Sequence, residues 1–565
     1  MHNLRKHPLA ATLTLALLCA SVAAQTAPDA GTLRQQIEQG REATLPRKAL
    51  PAKPATPEAM RPLSGVVITV TQFQLAGNTL LGAEPLQAAL APFLNRPLDY
   101  TQLQAAAAAV ADVYRAAGWI VRAYLPEQDV VGGVVTIQIV EAVFGGVKLE
   151  GAPATRVALA QIQRGFDALQ AVGAPLNANA IDRALLLADD LPGVAVSGSL
   201  REGAQASQTE LVIKLADEPL AVGEATLDST GSRSTGANRL SANLNFNSPL
   251  GLGDLLSANL IHTEGSDYLR VGATLPVGDK GWRAGASAST MRYRLVTGEF
   301  AALDSTGTSG SAGLEASYPI IRSRLQNLYF NANLEHKTFD NQANAATATH
   351  YQADSLSLGL TGNLFDNLGG GGANSASLTL TSGQINLNDS PNQAADAAST
   401  QSDGAFSKLR YSASRQQTIT ADLSFYAAAS GQWASKNLDS SEKFYLGGVS
   451  GVRAYPSSEA GGSAGQLLNL ELRYRLPQGF TVTGFYDAGQ VSVNTNNNFA
   501  SAPVLNDYAL KGAGLALAWQ GESGLNLKAT WARRIGDNPN PTATGTDQDG
   551  SLVADRFWLA LSLSF

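Results

Sequence analysis

The chain has 565 residues, of which 44% are hydrophobic and only 15% charged, with 55 glycines and a formal net charge of −7. An acidic chain of this kind argues against a nucleic-acid partner, which would call for clustered basic residues. Past the N-terminus no segment has the roughly 18 consecutive apolar residues of a membrane helix.

The first stretch, "MHNLRKHPLAATLTLALLCASVAAQ", carries Arg5 and Lys6, then an apolar run from Leu9 to Cys19, then small residues suited to cleavage after Ala24. This pattern predicts a secretory signal peptide over 1–24. Leu18 stands ahead of Cys19 where a lipoprotein signal has a small residue. Cleavage would remove the one cysteine, leaving a mature chain without thiols for an oxidising compartment, and would bring the net charge to about −9. Residues 25–64 join a polar, helix-favouring piece, "GTLRQQIEQGREATL", to the Pro-rich "PRKALPAKPATPEAMRP". The first predicts a helix over 30–45, the second an extended linker.

Residues 65–142 and 143–217 repeat one order of elements. The first runs from "VVITVTQFQLAGN" through two helix patterns to paired strands in "WIVRAYLPEQDVVGGVVTIQIVEA". The second starts at "FGGVKLEGA", with helices predicted near 155–169 and 178–191 and strands near 194–201 and 208–216. Each β-α-α-β-β unit of about 75 residues can bury one helix face on a three-stranded sheet.

From residue 218 to 565 nearly every segment alternates. In "YLRVGATLP" Leu269, Val271, Ala273 and Leu275 share one face; in "QLLNLELRYRL" Leu468, Leu470, Leu472, Tyr474 and Leu476 oppose Asn469, Glu471, Arg473 and Arg475. We count about 16 strands, joined alternately by short turns and by longer polar loops at about 294–309, 339–351, 386–405, 434–465, 492–507 and 535–555. That asymmetry predicts an antiparallel transmembrane β-barrel, with lipid on the apolar face and a wet lumen on the polar one. The predicted fold class is therefore α+β periplasmic units followed by an all-β barrel. The last strand, "RFWLALSLSF", sets Phe557, Leu559, Leu561, Leu563 and Phe565 against Trp558, Ala560, Ser562 and Ser564.

No catalytic residue, metal site or cofactor site is predicted. His262, His336 and His350 form no zinc-binding pattern, no Gly-x-Ser-x-Gly turn occurs, and the glycines at 369–372 lack the Lys-Ser/Thr of a phosphate loop, so they read as a hairpin turn.

The whole mature chain resembles the two-partner secretion transporters (TpsB), the exporters of haemolysin and filamentous haemagglutinin, which carry two POTRA domains before a 16-stranded barrel. The sharpest local match is "GWIVRAYLPEQDVVGGVVTIQIVEA", similar to the first POTRA domain of that family. "GVRAY", Gly451, Val452, Arg453, Ala454 and Tyr455, resembles the Val-Arg-Gly-Tyr/Phe tip of the sixth extracellular loop in the wider superfamily, with Ala454 in place of the usual glycine. "FYDAG", with Phe485, Asp487 and Gly489, resembles the Phe-x-Asp-x-Gly element of the thirteenth barrel strand, and terminal Phe565 resembles the signal read by the barrel-assembly machinery.

The resemblance implies a Gram-negative outer-membrane protein with POTRA 1 at 65–142 and POTRA 2 at 143–217 in the periplasm, a plug helix ahead of them, and the barrel at 218–565. The implied partners are a large secreted exoprotein of the TpsA type with an N-terminal secretion domain, the assembly machinery during biogenesis, and outer-membrane lipid. A barrel-assembly or insertion factor of the same superfamily is the alternative function. A neutral physical argument supports the loop assignment: alternation in "GFTVTGFYDAGQ" turns Asp487 into the lumen, where a guanidinium can meet its carboxylate bidentately. Folding the Gly-rich loop 434–465 inward would bring Arg453 there.

Overall fold

The computed structural model describes residues 27–40, 45, 67–205 and 207–565. The predicted signal peptide and nearly all of the Pro-rich linker lie outside the described residues.

Helix α1 (Ala30–Gln39) starts where Asp29 accepts a hydrogen bond from the Thr32 backbone at 2.7 Å and stops at Gly40. Residues 41–44 of the span predicted lie outside the described residues. Residues 67–142 form strands β1 (Val67–Thr69), β2 (Gln72–Ala76), helix α2 (Ala83–Leu90), β3 (Pro97–Asp99), helix α3 (Tyr100–Ala116), β4 (Val121–Tyr124) and β5 (Val134–Glu141). The sheet order is β2-β5-β4, with β1 and β3 paired apart as an addition the sequence pattern had not indicated. Asp99 and Gln102 cap α3 reciprocally, and Leu103, Ala106, Val110 and Tyr114, at helical spacing, bury against Val135, Ile137 and Ile139. Each such buried leucine, isoleucine or valine contributes about 1.5–3 kcal/mol.

The next unit has β6 (Val143–Leu149), α4 (Leu159–Leu169), α5 (Ala178–Asp189), β7 (Val194–Glu202) and β8 (Gln208–Asp217), in sheet order β6-β8-β7. Its core gathers Phe144, Ile162, Phe166, Ile181, Leu185 and Ile213.

Three residues after β8 the barrel begins. Its strands are β9 (Ala221–Asp228), β10 (Arg239–Asn247), β11 (Leu255–Thr263), β12 (Ser266–Val277), β13 (Trp282–Arg294), β14 (Thr306–Arg322), β15 (Gln326–Ala343), β16 (Ala346–Asp366), β17 (Gly372–Asn386), β18 (Gly404–Thr418) and β19 (Leu423–Ala434). Two short strands, β20 (Phe444–Tyr445) and β21 (Gly461–Gly462), pair within the next loop, and the wall resumes with β22 (Ala464–Arg475), β23 (Phe480–Ser492), β24 (Asp507–Gln520), β25 (Leu525–Arg534) and β26 (Asp555–Ser564). β26 pairs with β9 and closes a 16-stranded antiparallel barrel.

Alternation sorts the two faces. Leu269, Val271, Leu275, Leu472, Leu517, Leu559 and Leu561 are exposed on the outside, an apolar surface far too continuous for a water-soluble protein and suited to lipid. Trp282 stacks on Tyr318 at 4.8 Å near the periplasmic rim, where Phe480 and Trp519 also meet. The glycines at 369–371 all take positive φ in a tight turn, as their sequence suggested.

One predicted loop is corrected. Residues 339–351 are strand, not loop: β15 stays paired with β14 as far as Gln342, β16 runs on past the end of β17, and the two meet in a two-residue turn at Asn344 and Ala345, whose φ values of 50° and 60° match the twist of a tight hairpin. Phe339 stacks on Tyr351 at 4.7 Å inside this extension, so the polar residues around them belong to paired strands.

Candidate functional site

The lumen is filled from two directions. From the N-terminus, α1 lies against β13, β14 and β15. Its Ala30 backbone donates to Asn341 Oδ1 at 2.9 Å, and Leu33 joins Tyr268, Met291, Phe339 and Tyr351 in a buried cluster. A Cβ at Gly31 would sit 2.7 Å from the Tyr351 hydroxyl, so only a glycine lets the helix come this close. From the other direction the loop after β19 folds inward and touches α1: Gln35 and Gln39 donate to the carbonyls of Lys443 and Tyr445, and Ser440 donates to Asp29 at 2.8 Å.

Between helix and loop lies a chain of alternating charges. Arg34 of α1 pairs with Glu38 at 2.8 Å and Glu335 at 3.0 Å; Lys337 pairs with Glu442 of the loop at 3.1 Å, and Lys408 closes on the same carboxylate. Burial alone would raise the Glu442 pKa, but the two lysines hold it far below the usual carboxylate range.

The loop tip carries the residues singled out in the sequence, and the structure brings Arg453 to Asp487. Arg453 Nε and Nη2 reach the two Asp487 oxygens at 2.9 and 2.7 Å, and the Arg453 backbone N–H adds a third bond at 3.1 Å. The remaining Nη1 donates to Glu471 at 2.7 Å, and the guanidinium lies 3.6 Å from the centroid of Phe485. Asp487 is fully buried and Arg453 is 5% exposed. Burial opposes the charge on Arg453, yet its bonds to Asp487 and then Glu471 keep its pKa above the ordinary value. At an effective dielectric near 20, opposite unit charges about 4 Å apart have a raw Coulomb energy of about 4 kcal/mol before desolvation, and deleting one partner of a buried pair costs about 3–5 kcal/mol.

The surrounding motif residues make this approach possible. A Cβ at Gly451 would stand 2.0 Å from the Leu446 carbonyl, and one at Gly489 2.7 Å from the Leu446 side chain. Val452 and Tyr455 are buried at the tip, with Arg534 stacked over the Tyr455 ring at 4.9 Å. Ala454 is accommodated by the wall it faces, because a Cβ at Gly512 would fall 2.7 Å from its methyl group. Phe565 is exposed, and its backbone pairs with Gly223 of β9.

Three contributors were not singled out from sequence. Asn469 donates to Asp487 at 2.8 Å and to the Gly451 carbonyl at 3.1 Å, Glu471 receives Arg453, and Trp558 Nε1 of the last strand donates to the Arg453 carbonyl at 2.8 Å. All three lie on faces that alternation had set opposite the apolar one, which is the signal that could have found them. The three described histidines sit beside strand or hairpin carboxylates instead: His262 by Asp267, His336 by Asp354, His350 by Asp340.

Beyond the tip, Glu459 ties the loop to the segment 535–554. It is fully buried and accepts from Asn538 Nδ2 at 2.9 Å and from the Gln548 backbone at 2.8 Å, while Asp547 and Asp549 alongside pair with Arg534 and Arg556. Burial, reinforced by those two aspartates, pushes the Glu459 carboxyl up to about 7.

A sequence model of the family described as haemolysin secretion/activation protein ShlB/FhaC/HecB matches residues 207–518, and one for the ShlB-type POTRA domain matches residues 68–142. The chain is similar to the heme/hemopexin transporter protein HuxB of Haemophilus influenzae, 25% identical over 564 residues that cover 97% of each chain. It is 26% identical to the outer membrane transporter CdiB of Escherichia coli over 476 residues, 81% of this chain and 78% of CdiB. The solved structure of CdiB from Escherichia coli shares the fold with a TM-score of 0.69 at 22% identity, over 90% of this chain and 93% of that one.

Glu459 gives this site a pH dependence whose sign is fixed. A carboxyl raised from 4.5 to about 7 on folding adds stability below its unfolded pKa and loses it as pH rises through 7. Protease cleavage within 535–554, followed on the purified protein in detergent, should be faster at pH 8 than at pH 5.5, and Glu459→Gln should flatten that difference.

Proposed function

Since the chain belongs to the haemolysin secretion/activation family ShlB/FhaC/HecB, and is therefore an outer-membrane transporter of exoproteins with periplasmic POTRA domains rather than an enzyme, we propose how its parts divide the work. The POTRA domains capture an unfolded exoprotein of the TpsA type through its N-terminal secretion domain. α1 plugs the barrel at rest. The inward loop, latched by Arg453 on Asp487, is displaced as the chain passes to the cell surface.

The single observation that carries this reading is the buried Arg453–Asp487–Glu471 cluster, which fastens a loop of the cell-surface side to the lumenal wall. Its energy suits a latch: large enough to hold the loop, small enough to be replaced by the contacts of a chain in transit. The free edges of the sheets, notably the nine-residue β7, support capture of an extended chain by strand addition. The lumen is too full for a folded domain, and the periplasm supplies no ATP, so folding of the exported chain outside the cell provides the pull. Phe565 at the end of β26 is proposed as the signal that the barrel-assembly machinery reads.

The exoprotein is defined operationally as the polypeptide lost from medium and cell surface when the transporter's gene is deleted. Purified residues 61–218 should bind its unfolded N-terminal domain and not an unrelated unfolded chain; equal binding would remove the claim of specific recognition.

Arg453→Ala and Asp487→Ala should each lower export of that polypeptide at least tenfold (about 1.4 kcal/mol or more) with the barrel still in the outer membrane. The double variant should be little worse than either, because the two groups act as one unit. Full export by both single variants would refute the latch.

Deleting residues 25–60 should raise ion conductance in planar bilayers while the barrel still assembles. Unchanged conductance would count against α1 as a plug.

A further inference from the structure

Helix α5 has two apolar or charged faces with separate destinations. Ile181, Ala184, Leu185 and Ala188 enter the core of POTRA 2. The other face meets the periplasmic turns of the barrel. Leu187 packs where a Cβ on Gly281 would lie 3.0 Å away, and Leu191, just past the helix, packs on Gly253 in the same manner at 2.9 Å.

The third turn, between β14 and β15, adds charge. Arg322 is 7% exposed, and its Nε and Nη2 grip both Asp190 oxygens at 2.7 Å; Arg324 Nε reaches Asp182 at 2.6 Å. A bulge at Pro319–Ile321 interrupts the ladder, and the Pro319 carbonyl accepts from Arg183 at 2.5 Å. Asn327 Oδ1 in turn accepts from Arg322 Nη1 at 3.1 Å, which fixes the guanidinium plane. Ion pairs on both sides of one turn, one of them bidentate, set an orientation as well as a contact.

These contacts are one-sided. They run to the turns at 248–254, 278–281 and 323–325, beneath β9 to β15. Among the described residues, no hydrogen bond or ion pair joins POTRA 2 to the turns at 367–371, 419–422, 476–479 or 521–524.

We propose that Asp182, Asp190, Arg322 and Arg324 are positioning residues of export: they clamp POTRA 2 beneath one half of the barrel mouth, so that an unfolded chain held on it is presented to the uncovered half. This rests on the transport reading above. The clamp itself is tested without transport.

Spin labels on Val172→Cys and Ser523→Cys, on POTRA 2 and on an uncovered turn, report the distance between them in the full-length protein in detergent. The parent should give one narrow distance distribution. Asp182→Arg with Asp190→Arg should broaden it and cut export of the operationally defined exoprotein by at least about tenfold, with heat-modifiable barrel unchanged in amount. Adding Arg322→Asp and Arg324→Asp should narrow the distribution again and recover most of the export. Should the reversed barrel assemble poorly, Asp182→Asn with Asp190→Asn removes the charges without repulsion and is read in the same way. A narrow distribution in the charge-removed protein overturns the clamp. A broad one with full export overturns the positioning role, and a swap no better than the reversal overturns the pairing. A parent that exports nothing counts against transport while leaving the distance result to judge the clamp.

Discussion

A barrel of 16 strands turns one face of its wall to lipid and the other, largely polar face to a lumen where only local apolar clusters form around α1 and the loop tip. The constraint on everything else is how to hold material inside a wet lumen. The protein answers with charge: Arg453 on Asp487 and Glu471 at the loop tip, and the run from Arg34 through Glu335, Lys337 and Glu442 to Lys408 between α1 and the loop base. Buried ion pairs stabilise little in net terms but tolerate few alternative arrangements.

The two fillers of the lumen are joined. Asp29, Thr32, Gln35 and Gln39 of the helical segment bond to residues 440–445, which begin the loop whose tip carries Arg453. The helix and the loop base are therefore joined by shared hydrogen bonds, each worth about 0.5–1.5 kcal/mol net. On the outer side Glu459 ties the same loop to the segment before β26, and Trp558 of β26 reaches the Arg453 carbonyl. The loop is thus bound at its base, its tip and its return, by three different parts of the chain.

On the periplasmic side the same economy of contact appears at α5, one helix serving both a domain core and a barrel rim. The pairing of small turn residues such as Gly253 and Gly281 with Leu191 and Leu187 brings the two close enough for Arg322 and Arg324 to find their carboxylates.

Much of this was legible in the residues because strand alternation and lumenal polarity are local properties. The faces of "YLRVGATLP" and "QLLNLELRYRL", the inward Asp487, the need for glycine beside Arg453 and the strand count all follow from a period of two and from backbone sterics. What the sequence could not decide lies between segments far apart in the chain. Residues 339–351 are polar and read as a loop, yet pairing of Asp340 with His350 and stacking of Phe339 on Tyr351 make them strand. The second face of α5 reads as solvated until turns some 60 to 140 positions later close over it. Asn469, Glu471 and Trp558 had only an inward face to recommend them; their meeting at Arg453 depends on how a long loop folds back through a closed barrel, and only the tertiary structure sets that path.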